Sequence, residues 1–235
     1  MFLFMPVRVH ESSGSERVPW ANSLLIVVNV LVFVFLTEIF GWNLAVGRGT
    51  SLPTILTYGF AHSGPLHLIS NMWFLWLFGN PVNRRLGNGY YLLSYIGTIV
   101  ALGIFAWLFA PGLLLGSSGG IFAVMLLFMM LMPRAVVQIG YVALFPVTLL
   151  IGLFSRPKDW AFWFVRWDTF DFHSWIGFVL ITLLEVWSLW SGLWAGYWNW
   201  TNLGHLFGLM CGVVIVLLLP TQVTMNRRLR ASGVS

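Results

Sequence analysis

Charged side chains are nearly missing from this chain: 12 Lys and Arg and 7 Asp and Glu make up 8% of its 235 residues. So few charges cannot cover the surface of a water-soluble domain of this size, which excludes a freely soluble fold. Cysteine is scarcer still. The single Cys211 cannot form an internal disulfide, and its place in the last apolar segment suits packing. The basic excess of +5 is not gathered into one stripe, which argues against a nucleic-acid surface. There is no internal repeat and no low-complexity tract. His-Glu-x-x-His, the metal-binding pair of zinc proteases, is also missing, and so is Gly-x-Gly-Asp.

What fills the chain is hydrocarbon: 59% hydrophobic residues and a mean hydropathy of +0.86. That composition predicts an all-α membrane protein, a polytopic helix bundle in which one domain takes nearly the whole length. A bilayer core of about 30 Å needs about 20 helical residues. Six segments suit: Trp20–Phe40, His62–Leu77, Tyr90–Ala110, Ser118–Met132, Trp175–Leu193 and Asn202–Leu219. Pro133 stops the fourth and Pro220 the sixth, since proline cannot continue a helix.

The charges orient these segments. Arg8 and Arg17 precede the first, Arg84 and Arg85 follow the second, and Arg134, Arg156, Lys158 and Arg166 lie between the fourth and fifth. Arg227, Arg228 and Arg230 close the chain, and only Arg48 falls in an odd-numbered connection. By the positive-inside rule both termini face the cytoplasm of a cell (inner) membrane, with residues 1–19 and the basic tail 221–235 flanking a membrane domain over 20–220. The first span is too long for the apolar core of a cleaved signal and lacks a small-residue cleavage site. Glu11–Arg17 and the tail after Pro220 are expected to be mobile.

Three clusters carry polar chemistry at membrane depth, where a hydroxyl or imidazole is costly unless it serves a site. The first is His67-Leu68-Ile69-Ser70-Asn71-Met72. His67 and Asn71, four apart, share a helix face and form either a donor cradle for an oxyanion or simple interhelical glue. The second is Gly116-Ser117-Ser118-Gly119, where Ser118 opens a helix either as a nucleophile or only as an N-cap. Phe122, one turn on, is placed to pack on an approaching imidazole. The third is His205 among Gly204, Gly208 and Gly212, whose four-residue spacing makes a groove for close helix approach.

A seventh apolar stretch, Val136–Phe154, has the hydropathy of a span. Ser118 and His205 both lie near the N-terminal ends of their helices and meet only if a single crossing separates them. Trp175–Leu193 supplies that crossing. Pro146 and the glycines at 140 and 152 also weaken a continuous helix. Val136–Trp167 is therefore read as an interfacial or re-entrant excursion.

Gly-x-Ser-Gly opening the fourth span, His-x3-Asn-Met in the second and His-x2-Gly-x3-Gly in the sixth together resemble the rhomboid intramembrane serine proteases. Phe78-Gly79 and Arg85-Leu86-Gly87 add to the likeness, which runs from about Trp20 to Pro220. The resemblance implies six spans, Ser118 as nucleophile and His205 as general base in a dyad without an aspartate. It implies that His67 and Asn71 help form the oxyanion hole, with Gly116, Gly119, Phe122 and Gly208 packing the site. The cavity would open to the non-cytoplasmic side. Substrates would be transmembrane segments of membrane proteins that enter sideways from the lipid. No metal or organic cofactor is implied.

Departures from the family pattern touch the loops. Asn83 stands where the family often has an acid, and Trp42 and Arg48 are not an adjacent pair. The first loop, Gly41–Phe60, is short and the fourth-to-fifth connection long. Glu185, midway along the fifth span, is either functional or a protonated, hydrogen-bonded bundle residue. The rival reading is a non-catalytic rhomboid-like protein that binds transmembrane segments for trafficking or quality control. Such relatives typically lack the serine or the histidine. A transporter would need a polar path across the bilayer, whereas these polar residues cluster near one face.

Overall fold

A computed structural model describes residues 2–10, 17–144, 148 and 165–219. Helices stand at all six apolar segments. The first, α1, spans Trp20–Leu31 and continues through a wider π-helical turn, Val32–Leu36, to Thr37–Phe40. The second, α2, spans Pro65–Phe74 and extends through Leu75–Gly79 into Asn80–Leu86. Then come α3 (Asn88–Phe109), α4 (Ser118–Leu131), α5 (Ser174–Trp194) and α6 (Trp200–Leu218). Of these, α3, α5 and α6 are each long and apolar enough to cross a membrane. The chain is mostly helical, and with this composition it is an integral membrane protein.

Local chemistry sets the helix starts. Pro65 has a preset φ and no N–H to satisfy, so it opens α2 three residues later than hydropathy suggests and leaves His62 in the preceding loop. Asn199 caps α6: its side chain accepts from the Asn202 backbone N–H at 3.3 Å.

The buried centre is α3. Tyr91, Tyr95, Ile99, Leu102 and Ala106 follow a helical repeat and are all buried, packed among Leu25 of α1 and Val124, Leu127 and Phe128 of α4. By contrast α5 is peripheral, with Leu183, Leu184 and Trp187 turned outward. At one end an amide cluster ties α1, α2 and α3 together. The Asn22 side chain donates to Leu75 O at 2.9 Å and to Asn80 Oδ1 at 2.8 Å, and accepts from the Tyr91 hydroxyl at 2.6 Å. Asn83, the departure noted above, belongs to this joint: its Oδ1 accepts from the Asn22 backbone N–H at 2.9 Å and its Nδ2 donates to Asn88 at 3.0 Å.

The expectation of an all-α protein needs correction. Phe2–His10 (β1), Val136–Leu144 (β2) and Val165–His173 (β3) form an antiparallel sheet in the order β1-β2-β3. The register runs from Phe2 opposite Ala143 to His10 opposite Val136, and from Val136 opposite His173 to Leu144 opposite Val165. Pro6, which cannot donate to a ladder, sits beside a register shift on the edge strand. Its carbonyl accepts instead from Trp73 Nε1 at 2.7 Å.

The start of the apolar stretch Val136–Phe154 is thus strand, paired on both edges, and not a spanning helix. Residues 145–147 and 149–164 lie outside the described residues, as do 11–16 and the tail from 220. Because Val136 faces His173, the chain comes back to where it left. Ser174 closes that return: its N–H donates to Ala135 O at 3.0 Å and its hydroxyl to Met132 O at 3.1 Å. Consequently α5 begins beside the end of α4.

Candidate active site

The turn into α4 is tied down from three sides. Val46 and Leu114 exchange backbone hydrogen bonds at 2.9 and 2.8 Å, and Gly116 N–H donates to Tyr58 O at 2.8 Å. The Tyr58 hydroxyl in turn donates to Ile99 O at 2.8 Å, which fixes the turn to the central helix. Ser117 occupies the N-cap position without a capping bond, its Oγ standing 3.3 Å from His62 Nε2. Ser118 is the first helical residue. It is not the cap, and the first-turn amides of α4 receive no side-chain cap.

The Ser118 hydroxyl oxygen lies 3.0 Å from His205 Nε2. Two glycines allow this. A Cβ on Gly208 would fall 2.2 Å from Gly119 O, and one on Gly119 would fall 3.6 Å from Gly204 O, so α4 and α6 touch backbone to backbone. Phe122 stacks flat on the imidazole, with centroids 4.2 Å apart and planes 8° from parallel.

His67 and Asn71 face the same turn. A Cβ on Gly116 would meet His67 Cε1 at 2.8 Å and Nε2 at 2.9 Å, and Asn71 Nδ2 at 3.8 Å. Gly116 also has φ of +119°, a conformation that favours glycine. The Asn71 amide nitrogen is buried with no hydrogen-bond partner in the structure. A buried donor left free calls for an acceptor from outside. His67 Nδ1 is 3.0 Å from Ser63 Oγ, which orients the ring. Behind it, His62 meets the His67 ring edge-on at 5.0 Å. Burial, and then the neighbouring His67, pushes the His62 imidazole down to about 4, so it is neutral near pH 7. These groups border a cavity of about 600 Å³ that holds Ser118, His205, His67, Asn71 and Glu185 on its wall.

Sequence reasoning leaves three neighbours outside the cluster, although it raises Glu185 as either functional or a protonated bundle residue. His62 and Ser63 precede α2 and back the His67 ring. Glu185 is the third: its Oε1 stands 3.1 Å from His205 Nδ1, while Oε2 accepts from the Asn202 amide. The carboxylate lies off the N–H direction, so the His205 contact is charge proximity without a directed hydrogen bond. A signal was present, since Glu185 and Ser188 on α5, and Asn202 and His205 on α6, repeat one three-residue spacing.

The family model of the rhomboid domain matches residues 49–222. A mitochondrial RHOMBOID-like protein 12 of Arabidopsis thaliana is 29% identical, over 63% of this chain and 55% of its own. The mitochondrial Rhomboid protein 1 of Saccharomyces cerevisiae is 30% identical, over 60% of this chain and 42% of its own. The chloroplastic Rhomboid-like protein 11 of Arabidopsis thaliana is 28% identical, over 70% and 51% respectively. The chain spans about half the length of the curated relatives it matches.

Proposed function

The chain belongs to the rhomboid family, and we propose that it is an intramembrane serine endopeptidase that cleaves transmembrane segments of membrane proteins. The observation that carries this reading is the 3.0 Å approach of Ser118 Oγ to His205 Nε2 beside a buried, unpartnered Asn71 amide. Nε2 accepts the hydroxyl proton as Oγ bonds to the scissile carbonyl carbon. The carbonyl oxygen becomes an oxyanion next to His67, the Asn71 amide and the uncapped amides at the start of α4. Collapse of the tetrahedral species breaks the C–N bond, and His205 returns the proton to the leaving amine. Water then repeats the sequence on the acyl-enzyme, with His205 again as base.

In this reading all six helices cross the bilayer as one membrane domain over residues 20–220. The arginine distribution supports cytoplasmic termini and a cavity that opens on the other side. The decisive experiment is labelling of the purified protein with a fluorophosphonate probe, together with cleavage of a reporter transmembrane substrate. Wild type should react in both, and Ser118→Ala and His205→Ala in neither while remaining folded. Full activity in either variant refutes the assignment. A wild type inert to probe and substrate leaves the binding-only rhomboid-like reading.

A further inference from the structure

Among the described residues, one carboxylate, Glu185, stands among the charge-poor helices against the reactive pair. Its side chain is only 15% exposed. An ionised acid taken into such surroundings loses several kcal/mol of hydration unless partners replace the water. Glu185 has a hydrogen-bond partner on one oxygen and an imidazole beside the other. Oε1 faces His205 Nδ1 at 3.1 Å, and Oε2 accepts from the Asn202 amide, whose own oxygen accepts from the Ser188 hydroxyl at 3.2 Å. The two acceptor–donor pairs run in step along α5 and α6, so the carboxylate is held by the same helix contact that carries the imidazole.

We propose that Glu185 is a positioning residue for His205, converting the serine–histidine pair into a Ser118–His205–Glu185 arrangement. The proposal rests on the protease reading above. An imidazole serves as base at Nε2 only in the tautomer that carries its proton on Nδ1. The Glu185 carboxyl is the group beside Nδ1, and as a carboxylate it favours that tautomer. When Nε2 takes the Ser118 proton, the ring becomes cationic and the carboxylate stabilises it. The Phe122 ring, stacked flat at 4.2 Å, resists tilting of the imidazole while its Nδ1 stands 3.1 Å from Oε1. Among the described residues, the ionisable groups that face His205 are Glu185 from α5 and His67 from α2, while α4 contributes Ser118 and Phe122. A protonated glutamic acid acting only as glue between α5 and α6 would give a different result when replaced by its neutral isostere.

The test compares full-length wild type, Glu185→Gln, Glu185→Asp and Ser118→Ala for cleavage of a transmembrane reporter, with kcat and KM measured across the acid and neutral range. Neutralising the equivalent acid in a soluble serine protease lowers kcat by about 10⁴-fold. Here Glu185→Gln should lower kcat at least tenfold, with KM nearly unchanged. The acid limb of its profile should move to lower pH, because the imidazolium has lost its counter-charge. Glu185→Asp should keep the acid limb near the wild-type position, with an intermediate kcat. Wild-type kcat and an unmoved acid limb in Glu185→Gln would overturn the proposal. If that variant does not fold, wild-type kcat in Glu185→Asp, whose shorter side chain draws the carboxylate away from Nδ1, would overturn it equally. Cleavage by Ser118→Ala would instead remove the protease reading beneath it.

Discussion

Asn71 illustrates how much one buried amide does at this site. Its nitrogen is held inside the protein without an acceptor, a state that costs about 1–3 kcal/mol until something binds there. If a developing oxyanion is that acceptor, Asn71→Ala should reduce kcat by about 10²–10³-fold, the effect of losing one oxyanion donor in a soluble protease. Steady-state cleavage would measure it, and an unchanged rate would remove Asn71 from the role. Gly116→Ala makes a second case. The new methyl would sit 2.8–2.9 Å from the His67 ring on a backbone with positive φ, so both activity and thermal stability should fall. A scan of unfolding temperature beside the activity assay checks both halves. The closeness of Ser118 and His205 is legible in sequence because polar groups in apolar helices have few places to go. The contact of Glu185 with His205 is harder to read, since it depends on the rotation of α5 against α6, which hydropathy does not encode.

The crossing of α4 and α6 is the element on which the site geometry depends. Gly208 leaves so little room that even one methyl must push the Gly119 carbonyl away. Gly208→Val should therefore separate Ser118 from His205, abolish probe labelling and lower the unfolding temperature. Gly204→Ala, where a Cβ meets only Leu102 methyls at 3.7 Å or more, should be tolerated. Equal effects of the two substitutions would contradict this account of the crossing. Helices are the part of the fold that composition reveals, because long apolar runs bounded by proline and glycine have few other solutions. The strands escape it. Val136–Leu144 is as greasy as a spanning helix, and its partners, Phe2–His10 and Val165–His173, are remote in sequence or beyond an apolar tract. Pairing information of that range is absent from a local window.

Across the whole molecule, the return of the chain from β3 to the end of α4 makes α4, α5 and α6 run alternately, which brings the starts of α4 and α6 to one end. Six crossings would put the two termini in the same compartment. Epitope tags at each end of the chain, probed for protease access in sealed vesicles, should be protected or cleaved together. Opposite accessibility would require an odd number of crossings and would undo the six-span reading. The sheet also bears on stability. Deleting residues 2–10 removes one ladder edge and the Trp73–Pro6 bond, so the unfolding temperature should drop while the Ser118–His205 contact, which lies on other elements, persists. Retained probe labelling at reduced thermal stability is the expected pattern.

That sheet order has a consequence for biosynthesis. The N-terminal strand waits for its match: β1 leaves the ribosome ahead of α1, yet its neighbour β2 follows only after α4. At ordinary translation speeds of about 5–20 residues per second, the N-terminal strand waits on the order of ten seconds for its partner. During that interval its backbone donors and acceptors are open to any passing edge, and the nascent chain must be kept from premature pairing until four helices are in place.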